Sequence, residues 1–185
     1  MLVCFHDYTS PASAVAVRRL QRLADEGLPV AFEGIDVLGV EVSLPVTLDV
    51  LAQLDQHRSA AADLGLRLRR PDVQPPTLAA HVVGDVAERL GLGAAWRSVA
   101  YRAYWEDARD IADHAVLAEL AGAAGLPDGA AEAALGDTRL RLDVRRRMGA
   151  RRSEGVGGVP VLLAGRTFVP ALLPEAELRT LAGIG

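Results

Sequence analysis

Thr9-Ser10-Pro11-Ala12-Ser13 is the corner on which the reading of this chain turns. Before it, Leu2-Val3-Cys4-Phe5-His6 is a short, mostly apolar run that ends at Asp7. After it, Ala16, Leu20, Leu23 and Ala24 recur at helical spacing, with Arg18, Arg19, Arg22, Asp25 and Glu26 between them. The pattern is a strand feeding an amphipathic helix. Ser10 is placed to cap that helix, and Pro11 takes the first helical position, where a missing N–H costs nothing. Such a corner aims free backbone N–H groups and the positive end of the helix dipole at one point. Proteins hold thiolates, phosphates and carboxylates there. Ser10 and Ser13 flank that point and no thiol does. Two readings stand: a capped helix start and nothing more, or a binding corner.

Working outward, Gly27 is a natural C-cap and Pro29 helps to stop the helix. Residues 30–37, Val-Ala-Phe-Glu-Gly-Ile-Asp-Val, alternate well enough for a second strand. Gly34 inside it suggests a bulge or a close approach of another group. Strand, helix, strand is a βαβ unit, which implies parallel strands and a right-handed crossover.

From Pro45 the pattern turns helical and stays so to about Arg152. Leu48, Leu51, Leu54 and Leu64 lie on one helix closed by Gly65, and a proline-rich loop follows up to Pro76. Thr77 is a candidate cap for a helix whose stripe is Leu78, Val82, Val83, Val86 and Leu90. Ala95, Trp96, Val99, Ala100 and Ala103 mark another helix; Asp113, Asp128 and Asp137 are candidate caps of three more. The last of these carries Arg139, Arg141, Arg145, Arg146, Arg147, Arg151 and Arg152, read either as a solvated face or as an anion-attracting flank of the corner. Gly155 to Gly158 then break the helix. Val159-Pro160-Val161-Leu162-Leu163 reads as a strand opening on a proline, Gly165-Arg166 as a tight turn into Thr167-Phe168-Val169, and Pro174 as the start of a final helix. The chain ends ββα.

The bulk numbers agree with one α/β protein. The chain has 185 residues, 50% of them apolar, enough for a full core. Its net charge of −4 argues against a nucleic-acid surface. All 20 basic residues are arginine, a coding bias of GC-rich genomes that discounts arguments from arginine counts. The single cysteine, Cys4, excludes an intramolecular disulfide, a CxxC pair and a cysteine-based zinc site, and no metal site is expected. There is no signal-peptide pattern and no apolar stretch long enough to cross a membrane, so a cytoplasmic protein is expected.

These parts resemble the DsbA-like thioredoxin family, and within it the cytoplasmic branch of FrnE-type oxidoreductases, 2-hydroxychromene-2-carboxylate isomerases and kappa-class glutathione transferases. The likeness is carried by Tyr104-Trp105-Glu106-Asp107-Ala108-Arg109-Asp110-Ile111-Ala112-Asp113 with Val116-Leu117-Ala118-Glu119-Leu120-Ala121 after it. Pro75-Pro76-Thr77 with Ala80-His81, and the Gly158-Val159-Pro160 step, are similar too. The resemblance implies a thioredoxin fold, βαβ plus ββα, interrupted by an all-helical insertion. Residues 1–43 and 153–185 would form the thioredoxin-like part, and residues 44–152 the insertion. It also implies a cis peptide bond before Pro160.

The corner departs from the redox members, which carry Cys-Pro-x-Cys where this chain has Ser10-Pro11-Ala12-Ser13. Ser10, Pro11 and Ser13 match the Ser-Pro-Tyr-Ser of the isomerase and transferase members; Ala12 does not. Dithiol exchange needs an attacking thiolate and a resolving partner, and neither position supplies one. A serine nucleophile needs an adjacent base; His6 is the only nearby candidate and reads as a strand histidine, so a Ser-His hydrolase is not the expectation. The resemblance instead implies that Ser10 donates a hydrogen bond to the thiolate of glutathione or an equivalent small thiol such as mycothiol. Pro11, Ser13, Val159 and Pro160 would complete the thiol site. His6, Tyr8, Tyr104 and Trp105, with Tyr101, are candidate pocket residues, and His81 reads as structural. The expected activity is a small-thiol-dependent isomerase or transferase acting on an organic electrophile. The alternatives are a catalytically degenerate member kept for peptide or protein binding, and an oxidoreductase by ancestry only. A homodimer is compatible with this branch; neither nucleic acid nor membrane is an expected partner.

Overall fold

The structure is a computed structural model that describes residues 1–183. The first strand, β1 (Leu2–His6), runs into α1 (Pro11–Asp25) through the Ser10 corner. Ser10 has extended backbone and its Oγ accepts from the Ser13 N–H at 3.1 Å, with Pro11 at the first helical position. Leu20 and Leu23 on α1 are wholly buried; truncating either to alanine would cost about 2–5 kcal/mol. After Gly27 at φ +97, where a left-handed turn ends the helix, β2 (Val30–Gly34) pairs parallel to β1 from Leu2↔Val30 to His6↔Gly34. This is the expected βαβ unit.

The strand stops three residues short of Val37. Ile35 still donates its N–H to the His6 carbonyl at 2.8 Å. Beyond it, the Val37 N–H goes to Asp7 Oδ2 and the Gly39 N–H to Asp36 Oδ1, so side-chain acceptors take the backbone out of the ladder.

The helical insertion opens with a feature the sequence does not announce: β3 (Leu44–Pro45) and β4 (Val73–Gln74) form a two-stranded antiparallel ribbon around α2 (Leu48–Asp63). Four further helices follow: α3 (Leu78–Arg89), α4 (Gly93–Trp105), α5 (His114–Ala123) and α6 (Ala130–Gly136). The long α7 (Thr138–Ser153) then returns to the sheet. Asp113 and Asp137 cap α5 and α7 as expected, each through Oδ1 to two backbone N–H groups. Two other expected caps fail. Thr77 is already helical in conformation (φ −102, ψ −3), so its hydroxyl does not reach back over the first turn and is buried without a partner. Asp128 is displaced as cap by Gly129, whose φ of +76 turns the chain into α6.

A cis Val159–Pro160 bond, as the resemblance implied, precedes β5 (Val161–Ala164), which starts two residues later than expected. The two-residue turn at Gly165-Arg166 leads into β6 (Thr167–Pro170), and α8 (Glu175–Gly183) closes the described chain. Sheet order is β2-β1-β5-β6, with β1 antiparallel to β5 and β5 to β6. The sheet separates two cores. Leu2, Cys4 and Leu162 pack with α1 and α8 on one face, and Phe5, Val161 and Leu163 pack with Val144 and Met148 of α7 on the other. The thioredoxin halves and a helical insertion are thus both present, but the β3–β4 ribbon means that the insertion is not all-helical as expected. Among the described residues, no helix is long and apolar enough to cross a membrane.

Candidate functional site

The corner after β1 is built by its own hydrogen bonds. Ser13 is fully buried, and its Oγ accepts from the Asp7 N–H at 3.3 Å. Ser10 is only partly covered, and its Oγ spends one lone pair on the Ser13 N–H, which leaves the hydroxyl hydrogen available. Pro11 has no N–H, and Ser13's is taken, so Ala12 supplies the free backbone donor of the first turn. No acidic side chain lies in that turn to compete for an anion. Two donors thus remain at the start of α1, where the positive end of the helix dipole lies. In register, Phe5 pairs with Val161, so the cis Val159–Pro160 step lies beside the end of β1 from which this corner departs.

Cys4 points the other way, into the core, where burial pushes its thiol up to about 12. It is not a thiolate near neutral pH.

A separate cavity of about 280 Å³ opens along the free edge of β2, bounded by α3, α4 and α7. His6 and Tyr8 line it, together with Phe32, Gly34, His81 and Trp96. The expected pocket residues thus divide. Tyr104 and Trp105 are not in its walls: Tyr104 donates to the Val73 carbonyl at 3.0 Å, and Trp105 Nε1 to the Tyr8 carbonyl at 2.9 Å. The first bond ties α4 to β4 within the insertion, and the second holds the insertion against the thioredoxin half. Ser10, Ser13 and Pro160 are not in the cavity walls either.

His6 makes no contact with Ser10 that a hydrolase would need. Its Nδ1 sits 3.1 Å from the Tyr101 hydroxyl, which itself donates to the Asp7 carbonyl at 3.1 Å. Tyr101 has one hydrogen to give; with it on the Asp7 carbonyl, both contacts are made when His6 Nδ1 is the donor and Nε2 carries the lone pair. Burial holds the imidazole well below its ordinary pKa, and His81 and Arg97 add to the effect. Tyr8 and Tyr101 are pushed up by burial and keep their protons.

His81 is more than a filler. Its ring lies over Gly34 and next to the Tyr8 ring, with centroids 4.6 Å apart, and Nε2 is 3.5 Å from Asp7 Oδ1. Trp96, Arg97 and Gly84 were not legible as site residues, because only tertiary packing brings α3 and α4 to the sheet edge. The glycine at 84 is the one sequence signal: a Cβ there would lie 3.0 Å from Trp96 Nε1 and 3.1 Å from the Tyr8 hydroxyl. The arginine-rich helix is neither a bare solvated face nor a free anion flank. Arg141 and Arg145 pair with Glu41, Arg147 with Asp85, and Arg151 with Glu33 and Glu154. Among the described residues, no group of three or more His, Cys, Asp or Glu side chains is arranged to hold a metal ion.

A four-stranded sheet with this order, a serine-capped helix after its first central strand and a cis-proline before the next define a thioredoxin-fold protein with a helical insertion. The chain belongs to the DSBA-like thioredoxin domain family, whose model matches residues 1–182. Among solved structures it is similar to a probable DsbA oxidoreductase from Streptomyces coelicolor, at 24% identity over 99% of this chain and 88% of that one, with a TM-score of 0.83. It is similar to a 2-hydroxychromene-2-carboxylate isomerase at 22% identity, over 91% and 87% of the two chains, with a TM-score of 0.76. The cytosolic disulfide reductase DsbM from Pseudomonas aeruginosa, in a structure with GSH, matches at 23% identity over 98% and 96%, with a TM-score of 0.62. At these identities the likeness is one of fold. No curated protein is a significant sequence match.

Proposed function

We propose that the Ser10 corner holds the thiolate of glutathione or an equivalent small thiol such as mycothiol, and that the protein is a cytoplasmic small-thiol-dependent isomerase or transferase acting on an organic electrophile. The observation that carries this reading is the pair of unspent donors, Ser10 Oγ–H and Ala12 N–H, at a helix start with no thiol and no competing carboxylate. Two fold neighbours support it: one is an isomerase, and another is a disulfide reductase in a structure with GSH. Bound there, the small thiol supplies the nucleophile.

The corner's own contribution is electrostatic. A hydrogen bond to a charged group is worth about 1.5–3 kcal/mol and a helix terminus about 0.3–1 kcal/mol. Together they would lower a bound thiol by about one to three pKa units from an ordinary 8.5. An unassisted serine gains nothing comparable as a nucleophile, since the same help leaves an alcohol almost wholly protonated at neutral pH. Calorimetry with glutathione and mycothiol tests the reading. Binding of one of them with release of a proton, lost or weakened at least tenfold in Ser10→Ala, is the expected result. No binding of either thiol overturns it.

The second reading is a degenerate member retained for peptide binding. Its support is Ala12, a small buried side chain where the isomerase and transferase members carry an aromatic one. Peptide binding that survives Ser10→Ala with Ser13→Ala, together with silence toward both thiols, would favour it.

A further inference from the structure

The cavity beside β2 carries a hydrogen-bonding pattern of its own, and it stands apart from the thiol reading. Its walls carry three arginines, the buried Arg97 and the more exposed Arg147 and Arg151, each matched by a carboxylate: Arg97 with Glu88, Arg147 with Asp85, and Arg151 with Glu33. The formal charges cancel, so these pairs do not select an ion. Deeper in, His6 presents Nε2 as an acceptor, because its Nδ1–H is committed to Tyr101. Tyr8 lies edge-on to it with ring centroids 5.4 Å apart. The Tyr8 hydroxyl accepts from Trp96 Nε1 at 2.9 Å, which leaves its own hydrogen to give. The inner wall thus offers one acceptor and one donor, with Met148 and Phe32 around them, one face of the Phe32 ring being covered by the Arg97 guanidinium at 3.9 Å.

We propose that this cavity is a second ligand site, for a small neutral aromatic molecule bearing a hydroxyl group, a phenol-type compound. Its O–H donates to His6 Nε2 and its oxygen accepts from the Tyr8 hydroxyl. The size agrees: an apolar protein cavity of about 150 Å³ holds benzene, and about 280 Å³ takes one substituted ring but not a nucleotide. A carboxylate ligand would meet Glu33, Asp85 and Glu88, while Arg97, Arg147 and Arg151 each already pair with a carboxylate and the buried Arg97 Nε is left without a partner. A hydrocarbon would leave both polar atoms without partners.

The test is a titration of protein carrying ¹⁵N-histidine with phenol, benzoate and toluene in parallel, followed by NMR. Saturable phenol binding that moves the His6 Nε2 resonance is expected, with benzoate and toluene at least tenfold weaker. Val144→Trp, which narrows the cavity from α7 without touching His6, is expected to weaken phenol at least tenfold. Absence of saturation with phenol overturns the proposal; so does equal or tighter binding of benzoate or toluene. Phenol shifts confined to residues away from the cavity, or a folded Val144→Trp that binds phenol unchanged, do the same. The wild-type titrations decide by themselves should Val144→Trp fail to fold. A glutathione titration of the same sample reports on the Ser10 corner separately, so each reading can fail alone.

Discussion

Gly34 and His81 occupy one space: a Cβ added at Gly34 would fall inside the His81 imidazole, with Nδ1, Cγ and Cε1 all too close. A glycine in a strand weakens it, and here it lets α3 dock its histidine against the edge of the sheet. Gly34→Ala is therefore expected to cost about 1–3 kcal/mol through overpacking. Removing the imidazole should relieve most of this, so Gly34→Ala with His81→Ala is expected to be less destabilising than the sum of the two single changes. Urea unfolding of the four proteins checks the coupling; strict additivity would show that the contact is not tight.

That contact also shows how far the sequence could be read. Gly34 in an otherwise regular strand pointed to a close approach, but nothing in the chain said that His81, 47 positions later by residue number, was the group approaching. The Ser10 and Asp137 caps were legible because a side chain three residues or fewer from its target decides them. Thr77 and Asp128 misled because residue type does not fix backbone conformation: Thr77 is already helical, and Gly129 makes the turn that an aspartate was expected to cap. Two-residue strands such as Leu44–Pro45 and Val73–Gln74 carry too little alternation to be seen. The cavity was half legible. His6 and Tyr8 lie within the first strand and corner, while Trp96, Arg97 and the α7 arginines arrive through packing between distant helices.

Asp7 should be the most sensitive polar position near the corner. It is wholly buried, accepts from the Val37 N–H at 2.8 Å through Oδ2, and places Oδ1 3.5 Å from His81 Nε2. Asp7→Ala strips the acceptor from the Val37 N–H. Leaving such a donor without its partner costs about 1–3 kcal/mol. Asp7→Asn keeps an acceptor for Val37 and is expected to cost less than half as much. Equal losses for both variants, measured by urea unfolding, would mean that the charge rather than the Val37 hydrogen bond dominates.

Stability is expected to fall on both sides of neutrality, for reasons that two buried residues separate. His6 has a folded pKa well below 6.5, so below that value the unfolded chain binds a proton that the native chain refuses. Its stabilising share is present above pH 6.5 and is lost as pH falls. Cys4 has the opposite sign. Its thiol rises from 9.0 to about 12 on folding, so between those values the unfolded chain gives up a proton that the native one keeps. Stability then drops with rising pH by up to about 1.4 kcal/mol per unit for this one group. Tyr8 and Tyr101, also pushed up by burial, add to the alkaline loss. Denaturation curves from pH 5 to 11 test this. Cys4→Ala should flatten the alkaline limb and leave the acid limb unchanged, and native Cys4 should resist iodoacetamide at pH 8.

The corner should regain redox chemistry when its hydroxyls become thiols. Ser10→Cys with Ser13→Cys places two sulfurs across the first turn of α1, the spacing of a Cys-Pro-x-Cys pair. The environments are unequal. Position 10 is partly open and faces the free Ala12 N–H, whereas position 13 is fully buried behind the Asp7 backbone. A thiol at a helix start has its pKa lowered, and an enclosed one does not react from solution. The reduced double variant is expected to lose one thiol quickly to iodoacetamide at pH 7 and to hold the other. It is also expected to reduce insulin disulfides with a reductant in solution, where the wild type reads as blank because its only thiol is enclosed by the core. Ser10→Cys by itself should be alkylated at a similar rate, yet fail to turn over insulin for want of a resolving thiol. Fast alkylation at both positions would mean that Ser13 is not sealed as its hydrogen bond to Asp7 implies. Insulin reduction by the wild type would mean that Cys4 reaches substrate, against its place in the β1 core.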